Sequence, residues 1–153
     1  MEDALLDQLT YVASLNGPAA KEANRQINAV RLKVANVKSP NLSLVTEASS
    51  LPLGIPAAYW LDLRGYRPAE TARSLKQPML ILQGGRDYQV TNVDYEGWAR
   101  GLSGRPNATF KLYPNLNHLF MEGEGKGTPE EYERHGSVSE SVIDDLVAWI
   151  NAH

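Results

Sequence analysis

The stretch LILQGGRDYQV, Leu80 to Val90, decides how the rest of the chain is read. An apolar run stops abruptly at two glycines, and the chain then delivers a single carboxylate, Asp87. The run Met79–Gln83 predicts a strand, and MLIL is apolar at every position, the pattern of a parallel strand covered on both faces. A second strand is predicted over Ala108–Tyr113, ATFKLY. It alternates, with Phe110 and Leu112 on one face and Thr109, Lys111 and Tyr113 on the other, as suits a sheet edge. A strand of interior type needs a neighbour on its other side. No further strand is legible upstream, so the pair reads as the end of a larger sheet with one border open to pairing.

Working outward, helical periodicity surrounds the two strands. A short helix over Ala69–Leu75 leads into the first. Tyr95, Trp98 and Leu102 mark a helix between them, and Ser137–Asn151 closes the chain. That last helix carries a capping-box pattern, Ser137 with Glu140, and an apolar stripe of Ile143, Leu146, Val147 and Ile150. Strands alternating with helices imply an α/β fold with parallel pairing through right-handed crossovers.

Before Ser39 the pattern is helical only. Leu5, Leu9 and Val12 form one stripe, Asn16-Gly17-Pro18 punctuates, and Ala23, Ile27, Val30 and Val34 form a second, which predicts a helical hairpin over residues 2–37. Lys21, Arg25, Arg31, Lys33 and Lys38 read as its solvated side, since acids balance them. From Ser39 to Ala69 four prolines oppose long elements, with room for a short helix over Ala57–Leu63. Tyr59, Trp60 and Tyr66 either line a ligand site or pack against the hairpin, and packing is the expected role.

Composition narrows the function classes. A net charge of -3 offers no broad attraction to nucleic acid or an anionic membrane. With no cysteine, disulfides and thiolate metal sites are excluded. MEDALLDQLTYVASL has acids where an export signal carries a basic region, and no apolar run approaches the length of a membrane span. A cytoplasmic location is the expectation. The sequons at Asn41 and Asn107 then carry no meaning beyond chance.

In parallel α/β sheets functional groups gather beyond the carboxyl ends of the strands. The first exit loop carries Asp87 and the second, PNLNHLF, carries His118. If the strands are neighbours, both side chains reach one rim, where a carboxylate can orient an imidazole that acts as general base and acid. The glycines before Asp87 would permit the turn that presents it. His118, Glu122, Glu124 and His135 match no common metal-ligand spacing. GEGKG, Gly123 to Gly127, lacks P-loop spacing and reads as a flexible rim loop that could touch substrate. His135 and His153 read as surface residues.

LPLGIPAAYWLDLRGYRP, QPMLILQGGRDYQVTNVD, YPNLNHLFMEGEG and TPEEYERHGSVSESVIDDLVAWI together resemble a known family. Residues 51–153 look like the C-terminal part of α/β-hydrolase-fold serine hydrolases, particularly dienelactone-hydrolase-like and esterase- or peptidase-like members. The resemblance implies that residues 1–50 are a helical cap segment, that the strands are the last two of the family's sheet, that Asp87 is the triad acid and that His118 is the base. It implies a small-molecule acyl substrate and no metal or organic cofactor. The family places its nucleophile in Gly-x-Ser-x-Gly, ahead of the acid in chain order. No such pentapeptide occurs in this sequence, and Ser103 in GLSGR has the wrong place and spacing. The expected partner is a nucleophile-bearing N-terminal half, and the chain alone is expected to be catalytically silent. The alternative is a non-catalytic binding or assembly module that pairs through its open strand edge, with another protein or a second copy.

Overall fold

A computed structural model describes residues 2–15 and 20–153. The chain divides into two compact units, Met1–Tyr66 and Arg67–His153.

The first unit opens with helices α1, Glu2–Leu15, and α2, Ala20–Lys38, which pack as the expected hairpin. The turn signal Asn16-Gly17-Pro18 lies outside the described residues. In α2 the apolar stripe turns inward as its spacing requires: Ile27, Val34 and Val37 are buried. The opposite face is solvated, with Arg25 paired to Glu22 and Arg31 to Asn28 on exposed turns. Lys38 reaches back to Asp3 at 2.6 Å. Past α2 the chain makes short 3₁₀ turns and then α3, Ala57–Leu63. Trp60 of α3 joins Val37, Leu42, Leu51 and Ala57 in the core of this unit, so packing is its role. Arg64 donates to the carbonyls of Val37 and Ser39 at 2.8 and 3.0 Å, serving acceptors left open where α2 ends. Tyr59 and Tyr66 remain exposed.

The second unit holds α4, Pro68–Ala72; β1, Met79–Gly84; α5, Asn92–Gly101; β2, Ala108–Tyr113; and α6, Glu140–Ala152. The strands are adjacent and parallel, in register from Met79 opposite Ala108 to Gly84 opposite Tyr113. Their starts are tied by Asn107, whose carbonyl accepts from Met79 N at 2.7 Å and whose amide donates to Gln77 O at 2.7 Å. Among the described residues these two strands form the whole sheet, so each has an unpaired edge. The apolar run of β1 is accordingly only half-buried, against the expectation of cover on both faces.

Three helical expectations are corrected. Helix α4 is shorter than the expected Ala69–Leu75 and starts at Pro68, whose fixed φ suits a first turn. Helix α6 starts at Glu140 with Ser139 as its N-cap, so the box expected between Ser137 and Glu140 does not form. The Ser139 hydroxyl bonds to Glu122 and Ser141 instead. Its inward residues are Val142, Asp145 and Trp149, whereas the stripe Ile143, Leu146, Val147 and Ile150 is exposed. The Asp145 carboxylate accepts from the Tyr113 hydroxyl at 2.7 Å and pairs with Lys111, so polar bonds to β2 set the rotation of this helix.

Among the described residues no helix is long and apolar enough to cross a membrane.

Candidate active site

Both exit loops leave the same end of the parallel pair, and two glycines let them run against each other. A Cβ on Gly84 would lie 2.5 Å from the Asn117 carbonyl oxygen and 2.6 Å from that of Leu116. A Cβ on Gly85 would lie 2.8 Å from Pro114. Neither glycine adopts positive φ. Their use is therefore close approach rather than the tight turn expected from sequence. Backbone bonds follow from that proximity: Gly85 N donates to Tyr113 O at 2.8 Å and Arg86 N to Leu116 O at 2.9 Å. The Gln83 amide spans the first loop, donating to Val90 O at 2.8 Å.

Asp87 lies inside this frame. Its Oδ1 accepts from the amides of Gln89 and Val90 at 2.8 and 2.9 Å, an Asx-type turn that fixes the carboxylate plane. Its Oδ2 is 2.8 Å from His118 Nδ1. The Asp87 side chain is 7% exposed and that of His118 38%, so the carboxylate is enclosed while the imidazole meets solvent. When the ring proton sits on Nδ1 it is donated to Asp87, and Nε2, which has no partner among the described residues, is left as the proton acceptor. This is the geometry of an oriented general base.

The histidine loop is built around Asn117, which is 1% exposed. Its Oδ1 accepts from the amides of Leu119 and Met121 at 2.9 and 3.1 Å, and its backbone N–H donates to Met121 O. Phe120 takes positive φ inside that turn, and its carbonyl accepts from Ser139 N at 2.9 Å, tying the loop to the start of α6.

Sequence reasoning missed the charged residue beside Asp87. Arg86 is buried and paired with Glu131, which stands on a 3₁₀ turn, Pro129–Glu133. Burial pushes the Glu131 carboxyl up, but hydrogen bonds from Arg86 and Asn117 and the charges of Arg86 and Arg134 outweigh it and hold it below its ordinary value. The signal available in sequence was weak, since an arginine after two glycines and a glutamate far downstream carry no shared spacing.

The remaining candidates do not join the Asp87–His118 pair. The GEGKG segment turns its carbonyls toward a cation, with Arg86 donating to Glu124 O at 3.1 Å and Gly125 O at 2.9 Å. It is the cradle of Arg86, and Gly123 has no side chain because the guanidinium occupies that space. Glu122 is engaged with Ser139, while His135 is exposed. The exposed His153 stacks on Trp149. Among the described residues no three metal-ligating side chains come together. Ser103 is exposed in the turn after α5, on the side where the strands begin, away from Asp87 and His118. A cavity of about 500 Å³ in the first unit, lined by Val37, Trp60, Arg64 and Tyr66 among others, contains none of these groups.

The chain is 41% identical over 150 residues to esterase EstD of Thermotoga maritima. The match covers 98% of this chain and 34% of the esterase, so the chain spans about a third of the length of this curated relative. No protein-family model matches the chain, and no solved structure matches it.

Proposed function

We propose that these residues are the C-terminal portion of an esterase-like serine hydrolase of the α/β-hydrolase fold. In this reading they contribute the triad acid, Asp87, and the base, His118, and a serine on a segment outside the 153 residues completes the triad. The observation that carries the reading is the 2.8 Å contact between Asp87 Oδ2 and His118 Nδ1, at the shared rim of two adjacent parallel strands, with Nε2 left outward. Similarity to an esterase along nearly the whole chain supports the same chemistry.

In the reaction, the serine hydroxyl attacks the carbonyl carbon of a carboxylic ester or related acyl compound. His118 Nε2 takes the hydroxyl proton and passes it to the leaving alcohol, giving an acyl-enzyme. It then takes a proton from water as hydroxide attacks, and returns it to the serine as the acid departs. Asp87 keeps the imidazole in the Nδ1–H tautomer and stabilises the imidazolium that forms twice per cycle. The nucleophile and oxyanion donors are what these residues would receive from the rest of the enzyme, and without them turnover is expected to be absent. Residues 1–50 would belong to the helical cap segment of such an enzyme.

The test joins the chain to a nucleophile-bearing segment and measures hydrolysis of p-nitrophenyl esters. Asp87→Asn should lower kcat by about 10⁴-fold and His118→Ala by about 10⁶-fold, with folding retained. Parent-level activity in both variants removes the assignment.

A second reading is favoured by the unpaired edge of β1: a non-catalytic module that adds its strand to a partner sheet or to a second copy. Light scattering on the purified chain separates the two copies from one. A monomer at all concentrations disfavours self-pairing.

A further inference from the structure

Glu131 belongs to neither exit loop, yet its carboxylate reaches one residue on each. Oε1 accepts from Arg86 Nη2, and Oε2 accepts from Asn117 Nδ2 at 3.1 Å. Arg86 immediately precedes Asp87, and Asn117 immediately precedes His118. The arginine and glutamate side chains are 6% and 14% exposed, so this bridge is held in a protected setting where hydrogen bonds to charge are strong. Neither partner is loose: Arg86 is wrapped by the carbonyls of Glu124 and Gly125, and Asn117 organises the turn from Asn117 to Met121. The backbone bonds from Gly85 and Arg86 tie the loops at their bases, before either functional side chain branches off. Glu131 supplies the tie beyond them.

We infer that Glu131 is a positioning residue for the Asp87–His118 pair. By bridging Arg86 and Asn117 it sets the separation of the two loops, and thereby the Oδ2–Nδ1 hydrogen bond and the tautomer of His118. Its consequence for turnover rests on the triad reading above, but its effect on the imidazole does not. A carboxylate suits the task because each of its two oxygens accepts from a different donor, the Arg86 guanidinium and the Asn117 carboxamide; glutamine in its place has one acceptor oxygen, and its amide nitrogen faces the Asn117 amide donor or the arginine.

The 153-residue chain itself supports the test. Histidine labelled with ¹⁵N, in long-range correlation spectra taken where the ring is neutral, reports the ratio of Nδ1–H to Nε2–H forms at His118. Glu131→Gln should lower that ratio about tenfold, the effect of losing one hydrogen bond's worth of preference. His135 and His153 should not change, and Asp87→Asn should abolish the preference. A folded Glu131→Gln chain that melts earlier but keeps the parent ratio would make Glu131 a plain structural brace and overturn the inference. If the glutamine variant does not fold, Glu131→Asp replaces it. One methylene shorter, it reaches only one partner, and a drop of about threefold is expected; the parent ratio there is equally decisive against the inference. In the chain joined to its nucleophile, Glu131→Gln should lower kcat about tenfold with KM unchanged. Parent-level turnover by His118→Ala would remove the triad reading, while the tautomer ratio would still decide the role of Glu131.

Discussion

At the scale of residues, the site is a buried carboxylate, a half-exposed imidazole and a charged bridge behind them. The Arg86–Glu131 pair lies in a protected place, where removing one partner costs more than the intact pair contributes, because a charge is left unpaired. Its pH dependence has a definite sign. The Glu131 carboxyl titrates in the fold below its ordinary value of 4.5, so its contribution is present above that value and is lost as pH falls through the depressed folded one. Melting temperatures of the parent and of Glu131→Gln should therefore differ most at neutral pH, and the gap should close below 4.5. A gap that is constant down to strong acid would contradict this account. Tyr113 shows the opposite case on the outer side of β2: burial and the Asp145 carboxylate raise its hydroxyl, which therefore stays a donor.

At the scale of elements, the glycines divide by what surrounds them. Gly84 ends β1 against the carbonyls of Leu116 and Asn117, and an added methyl must push the two loops apart. Gly84→Ala should cost about 1–3 kcal/mol, the range for overpacking a closed site. For a chain of this size each kcal/mol lowers the melting temperature by about 2–4 °C. Gly97 lies in α5 with nothing within 4 Å of an added Cβ. There alanine should stabilise by about 0.5–1 kcal/mol, since glycine loses more backbone freedom in a helix. Thermal melts of both variants check the pair, and equal effects would refute the distinction. Helix starts show the same contrast between pattern and place. The Asp94 carboxylate accepts from Thr91 N at 3.0 Å at the start of α5, while the similar pattern at Ser137 is bypassed because α6 begins later.

At the scale of the molecule, the second unit leaves two kinds of surface unsatisfied among the described residues. One is the free edge on each of β1 and β2, and the other is the exposed stripe of α6, where Val147 is 53% and Ile150 64% exposed. Exposed edges and contiguous apolar patches drive association. The purified chain should form dimers or larger species as its concentration rises, and Val147→Glu with Ile150→Lys should shift light-scattering masses toward the monomer. Concentration-independent monomers in the parent chain would show that these surfaces do not stick.

Local pattern determined much of this protein. The spacing of apolar residues located α2 and both strands, the short helix Ala57–Leu63 was legible to its ends, and alternation of strand with helix placed Asp87 and His118 on successive exit loops. Each of these depends on neighbours in the chain, through backbone preference and the periodicity of a face. Tertiary structure alone decided the 2.8 Å contact between the two side chains, the close-approach use of Gly84 and Gly85, the Arg86–Glu131–Asn117 bridge and the outward rotation of the α6 stripe. Arg86 and Glu131 are 45 residues apart, and no local rule relates them. Periodicity tells which face of a helix is apolar. What lies against that face, and which distant side chains share one hydrogen-bonding group, is settled only when the chain packs.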